Sequence, residues 1–385
     1  RFVSAHEVGH TIGLPHNMGS SFAYHVDSLR SPIFTANHGV APSIMDYARF
    51  NYVAQPEDGV TNFYPRVGEY DIWSVKWGYT YFDGEDQNTE KEILNKWIKE
   101  KANNYQYWFG YSNGIDPRSQ TESIGSDNMD ASYYGLLNLK RIVPNLINWT
   151  YEDGKNYDDL KELYLNVYSQ FRRYIGHVST NVGGIYENLK SNDQDGDVYT
   201  HVPKNLQKKA IEFLNSHVFS SLDWLVNRDV LSKIENIGAQ ERVRSIQEFA
   251  LRRLFDYSRL ARMLENESMN GKLAYSINEM IIDLDKSIWG DLETASPTNI
   301  YNRNLQKSYI NLLIDMMEED KKQSSYARRF GTNIDYASSD IKPIFVGKIF
   351  DLDSKIKNKI KRTKDDATSN HLKYISMQLS EFIDD

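Results

Sequence analysis

The tightest constraint on this chain sits in its first seventeen residues, in the run SAHEVGHTIGLPHN. His6 and His10 are four apart, so on a helix they share one face and can bring two imidazoles to a common point. Gly13 lets the chain leave that helix with positive φ, which a residue carrying a β-carbon adopts at a cost. Pro15 prevents the helix from resuming. The chain must therefore run as a helix, stop abruptly and double back, which returns His16 toward His6 and His10. Five identities in the pattern H-E-x-x-H-x-x-G-x-x-H are fixed, and a chance occurrence in a chain of this length is on the order of 1 in 10⁴ or rarer. Three neutral imidazoles suit one Zn²⁺ ion and leave its fourth position for water, the arrangement of a catalytic rather than a closed structural site. Glu7, one residue along from His6, is placed to act as general base on that water.

Further along, SIMDYARFNY places Met45 downstream of the third histidine, with Tyr47 two residues on. This resembles the Met-turn of the metzincins, a tight turn that forms an apolar floor beneath the metal. In astacin-like and serralysin-like members the turn reads Ser-Ile-Met-x-Tyr, and its Tyr ligates zinc or stabilises the oxyanion, so the resemblance gives Tyr47 a catalytic role and Met45 a structural one. The runs HEVGHTIGLPHN, DSLRSPIF, SIMDYARFNYVAQPEDG and DPRSQTESIGSDNMDASYYGLLNLKRI look like the large bacterial zinc-dependent metalloproteases known as extended Met-zincins, and VPKNLQKKAIEFLNSHVF fits their helical extension. The resemblance implies a zinc metalloendopeptidase acting on peptide or protein substrates, exported to the cell envelope or beyond. The chain lacks an initiator Met and a signal peptide, and the expectation is a fragment. In metzincins an upstream subdomain supplies the sheet that pairs with the substrate, so the isolated chain is expected to be a poor peptidase.

The pattern of the whole 385-residue sequence points to a mainly α chain: a metzincin-like C-terminal subdomain with active-site helix and Met-turn, then a long helical extension with a minor β-hairpin. Residues 1–148 are expected to form the first part and 149–385 a helical domain. Val243, Ile246, Ala250, Leu254, Tyr257 and Leu260 recur at steps of three or four, as do Leu305, Tyr309, Leu312 and Met316, and Phe345, Ile349, Leu352 and Ile356. A charged helix is expected around Ile93 to Ala102, and another from about Met129 to Leu146. GGIYENLKSNDQDGDVYTHVPK alternates about a polar turn and reads as a hairpin, with Pro203 opening the next helix. Net charge is −8 with no dominant basic block, which argues against a nucleic-acid partner, and no apolar run is long enough to span a bilayer. The absence of cysteine excludes a thiolate metal site and a cysteine nucleophile.

Other polar residues are weaker candidates. His25 and His38, between the third histidine and Met45, read as surface groups, and His177, His201, His217 and His371 receive no role. Asp193, Asp195 and Asp197 hint at calcium, but Gly196 is fourth and Lys204 twelfth where an EF-hand requires Gly sixth and Glu last. Asp116, Arg118, Gln120 and Glu122 form a polar cluster that is either a carboxylate clamp for a substrate terminus or a structural ion-pair network. KIKNKIKRTK reads as an exposed basic helix face. Two rivals to the peptidase reading stand: a non-catalytic scaffold module that retains a zinc motif, and a helical partner-binding domain.

Overall fold

The computed structural model describes residues 1–294, 296–318 and 339–384. The chain is mainly α with one small hairpin, the class expected, and it divides into two compact units. The first comprises Arg1–Ile142 and Gly184–Val202, the second Val143–Gly183 and Pro203–Asp385. The hairpin thus belongs with the N-terminal unit although helices of the second unit flank it in sequence.

In the first unit, α1 (Phe2–Thr11) is followed by α2 (Pro32–His38), α3 (Glu69–Tyr79), α4 (Gln87–Lys101) and α5 (Asn128–Ile142). Between α1 and α3 the chain is mostly irregular, and its backbone is satisfied by buried side chains instead of a sheet. The core beneath these loops includes Tyr24, Val26, Leu29, Val40, Val53 and Ile124, all buried. β1 (Ile185–Glu187) pairs antiparallel with β2 (Tyr199–His201), Ile185 opposite His201. The Ile185 N–H donates to Ile115 O at 3.0 Å, which ties the hairpin to the loop before Asp116.

The second unit contains α6 (Leu146–Trp149), α7 (Asp158–Ser179), α8 (Lys204–His217), α9 (Arg228–Ile234), α10 (Ala239–Leu254), α11 (Tyr257–Asn270), α12 (Ile277–Ile288), α13 (Ile300–Glu318), α14 (Ile341–Ile360) and α15 (Asp366–Asp384). α10 packs on α7 and α13, α8 on α7 and α12, and α14 on α15. The periodic positions on α13 and α14 are buried as the spacing requires.

Two helix boundaries and one exposed face differ from expectation. The stripe from Val243 to Leu260 is two helices, because the Asp256 side chain accepts from the Arg259 N–H at 3.1 Å and caps a new start. The helix expected to reach Leu146 stops as an α-helix at Ile142, since Pro144 lacks an N–H and the chain passes through a 3₁₀ turn at Val143–Asn145. The basic segment near residue 355 is not wholly exposed. Lys359 is buried and donates to Asp291 O at 3.0 Å and to Thr294 O.

Candidate metal centre

α1 ends as the sequence demands. Gly13 has φ +87°, its N–H donates to His10 O at 3.0 Å, and the Leu14 N–H donates to Gly9 O at 3.0 Å. These two bonds close a Schellman turn that satisfies the last carbonyls of the helix. Tyr79 of α3 donates its hydroxyl to Ile12 O at 2.9 Å and holds the turn from outside.

The turn returns His16 to the helix. Among the described residues, His6, His10 and His16 form the one group of three His, Asp or Glu side chains whose potential ligand atoms all lie within 4.8 Å of one another. His6 Nδ1 donates to Ile44 O at 2.8 Å and His10 Nδ1 to Leu14 O at 2.9 Å. A carbonyl can only accept, so in the neutral rings the proton is on Nδ1 and Nε2 carries the lone pair. His10 Nε2 and His16 Nε2 are 3.0 Å apart. Two nitrogens about 2.0–2.1 Å from one tetrahedral zinc would lie about 3.3 Å apart, so the His10–His16 pair is spaced close to what such an ion requires. Burial, then the neighbouring His10 and His6, holds the His16 pKa below its ordinary value, which favours the neutral, ligating form. Glu7 is exposed beside the buried His6, and the Tyr47 ring lies 4.6 Å from the His16 ring and 5.3 Å from the His6 ring.

The turn around Met45, which is fully buried, packs against α1. Gly9 faces it so closely that a β-carbon there would lie 2.3 Å from Met45 Sδ, which explains a glycine inside α1. Several residues that the motif does not contain hold this turn. Asp71 of α3 accepts from the Ser43 hydroxyl at 2.6 Å, the Ile44 N–H at 2.7 Å and the Gly68 N–H at 2.9 Å. Ser43 Oγ also accepts from the Met45 N–H at 3.0 Å. Asp46 is buried and accepts from the Ser21 N–H at 2.7 Å, and burial raises its pKa to about 7. Asn17, the residue after His16, is fully buried; its N–H donates to Met45 O at 3.1 Å, and its amide bridges Trp108 O at 2.9 Å and the Gly110 N–H at 3.0 Å. An Asp two residues past an N-terminal Glu in GEYD, after a glycine, was the available signal for a helix N-terminus carrying Asp71.

The other candidates lie elsewhere. His25 is exposed near Asp27, and His38 contacts Glu69 at 3.0 Å. Asp193 pairs with Lys99. Arg118 is buried, paired with Asp116 at 2.7 Å, and its guanidinium carbon is 4.5 Å from the Trp108 ring centroid and 4.3 Å from that of Tyr186. It also donates to Asn188 Oδ1 at 3.0 Å, so it fastens the hairpin to the loop at residue 116. Of the two readings of that cluster, the structural network describes Arg118. Glu122 points away from it, to Arg49 at 3.1 Å.

Two cavities have part of α1 or its C-terminal turn in their walls, though neither is lined by His6, Glu7, His10, His16 or Tyr47. One of 440 Å³ has the Ile12–Pro15 turn in its wall with Trp73, Trp77, Tyr107 and Trp108. Another of 790 Å³ takes in Phe2, Val3 and Ala5 of α1, Ile44, and Phe63 and Tyr64.

A helix–turn whose three imidazoles converge, beside a buried methionine turn, is a group that could hold one metal ion. The Met-zincin family model matches residues 1–296, and the chain belongs to that family. No curated protein and no solved structure matches it.

Proposed function

We propose that the protein is a zinc-dependent metalloendopeptidase whose metal is held by His6, His10 and His16. The observation that carries this reading is the convergence of the three ring nitrogens within 4.8 Å, with His6 and His10 fixed by backbone carbonyls so that Nε2 is available. When bound, the ion supplies Lewis acidity toward the scissile carbonyl and toward water. Glu7 accepts the proton of the attacking water and passes it to the departing amine. Tyr47, beside the imidazoles, donates its hydroxyl to the oxygen that gains charge in the tetrahedral state. Met45 forms the apolar floor that keeps the imidazoles in place. The cavities beside the turn and α1 provide apolar walls for peptide side chains. No covalent intermediate with the protein is required.

No helix among the described residues is long and apolar enough to cross a membrane. Export to the envelope or the exterior is the location that the resemblance implies, and it is part of this proposal.

Two measurements test the assignment together. The protein should bind one zinc per chain, and His16→Ala should reduce that stoichiometry. Glu7→Gln should retain zinc yet lose peptide hydrolysis by about 10² or more, the usual contribution of a general base. Hydrolysis by Glu7→Gln equal to wild type removes Glu7 from the mechanism. Wild-type protein that takes up no zinc removes the metal site.

A further inference from the structure

Among the described residues, Glu122 is the one residue other than glycine in the left-handed region, with φ +63°. Such a backbone is strained for a side chain with a β-carbon, and it persists where the surroundings hold it for a purpose. Here it directs a carboxylate only 14% exposed at Arg49, with Oε1 3.1 Å from Nη1. Arg49 is itself 58% exposed. An ion pair this open contributes little to stability on its own.

The Arg49 guanidinium carbon is 5.1 Å from the Tyr47 ring centroid, and that ring is 4.6 Å from His16 and 5.3 Å from His6. The cation is thus held by a carboxylate on one side and an aromatic ring on another, within about 10 Å of the His16 ring. One Glu122 oxygen engages Nη1, and a guanidinium carries five N–H donors in a fork that matches a carboxylate. Arg118, the arginine expected to clamp a carboxylate, is buried and committed to the hairpin, whereas Arg49 is exposed next to the Tyr47 ring.

We propose that Arg49 binds a carboxylate of the peptide lying at the metal centre, and that Glu122 is the positioning residue that holds it there. This rests on the reading of the site as a peptide-hydrolysing one. The carboxylate belongs to an acidic side chain or to the peptide's C-terminus. An extended peptide advances about 3.3 Å per residue, so that group lies within two or three residues of the scissile bond.

The test uses four fluorescent peptides of one apolar sequence: Glu or Gln at a flanking position, each with a C-terminal carboxylate or amide. Binding is read by anisotropy to zinc-loaded Glu7→Gln protein, with and without Arg49→Gln, so that turnover is not needed. The carboxylate peptides should bind about tenfold tighter or more than their neutral partners. Arg49→Gln should abolish that preference while leaving affinity for the neutral peptide and zinc content unchanged. The pair that discriminates identifies the source of the carboxylate. Glu122→Gly, which removes the carboxylate at a backbone conformation that glycine adopts freely, should weaken the preference. The proposal is overturned if the peptides bind with no carboxylate preference or not at all. It is also overturned if Arg49→Gln weakens all four alike, or if Glu122→Gly leaves the preference intact. Selective binding by a wild-type protein that cleaves none of the peptides would instead sink the hydrolytic reading and leave this one standing.

Discussion

Asp71 is the residue whose removal should disturb the metal centre most without touching it. Its buried carboxylate accepts three hydrogen bonds, from Ser43 Oγ, the Ile44 N–H and the Gly68 N–H. The Ile44 carbonyl in turn receives His6 Nδ1 at 2.8 Å, so Asp71 holds the residue that fixes the His6 tautomer. In Asp71→Asn the amide nitrogen meets least opposition toward Ser43, whose hydroxyl can accept as well as donate. That hydroxyl already accepts from the Met45 N–H, however, and its own proton would lose its partner. The net loss is about one hydrogen bond to a charged group, roughly 1.5–3 kcal/mol. Asp71→Ala strands all three donors, and at about 1–3 kcal/mol each the loss is roughly 3–9 kcal/mol. Loosening the turn should also weaken zinc binding by about 10–100-fold, the usual effect of an outer-shell partner. Urea unfolding of the metal-free protein measures the first quantity, and competition with a chelator of known affinity the second. Asp71→Asn with wild-type stability and wild-type zinc affinity would falsify this account of how His6 is positioned.

Gly9→Ala separates packing from propensity. Alanine in an exposed helix interior would stabilise by about 1 kcal/mol, but a β-carbon at Gly9 meets Met45 Sδ at 2.3 Å. We expect a destabilisation of about 1–3 kcal/mol with weakened zinc binding; a more stable variant with full zinc affinity would refute the contact. His371 makes the helical unit acid-sensitive. Gln306 donates its amide to Ile288 O and Asp291 Oδ1, so its oxygen accepts from His371 Nε2–H at 2.8 Å. Burial, then Lys307 and Arg303, lowers the His371 pKa to about 4 from 6.5. The stability from this neutral ring is complete above pH 6.5 and is lost as pH falls toward 4. Between pH 7.5 and 5 the loss is about 2 kcal/mol, and His371→Gln should reduce the pH dependence of urea unfolding by that amount.

What the sequence disclosed and what it hid divide by the range of the interactions. The ligand group was legible because helix, turn and return occupy eleven consecutive residues, His6 to His16, and each step follows from local stereochemistry. The helical stripes were legible for the same reason, since a 3.6-residue period is local. The Asp256 cap was missed because the apolar spacing continues across it, and Pro144 because the stripe around it does too. Asp71, Asp46 and Asn17 were illegible as parts of the site. Apart from the nearby Gly68 N–H, their partners lie 25 to 93 residues away, and nothing in GEYD or PHN states which of those groups they will meet. Arg118 shows the converse error that range produces. The residue type for clamping a carboxylate was sound, but its local partner Asp116 and the distant Tyr186 and Asn188 bury it, while Arg49 stands next to the Tyr47 ring.

The site therefore has two layers with different physical demands. Behind the imidazoles, Asn17, Met45, Asp46 and Asp71 are all buried and joined by hydrogen bonds to backbone groups. A buried polar group is costly unless every partner is present, so this layer tolerates almost no substitution and sets ligand geometry. In front, Glu7 and Arg49 are exposed and free of that constraint. Changes behind should lower stability and zinc affinity together, with lost activity following from lost metal. Changes in front should leave both intact and alter only turnover or peptide preference. A front-layer substitution that released zinc, or a back-layer substitution that abolished hydrolysis with zinc fully retained, would show that the two layers are not separable. The ligand cradle would then extend to the surface.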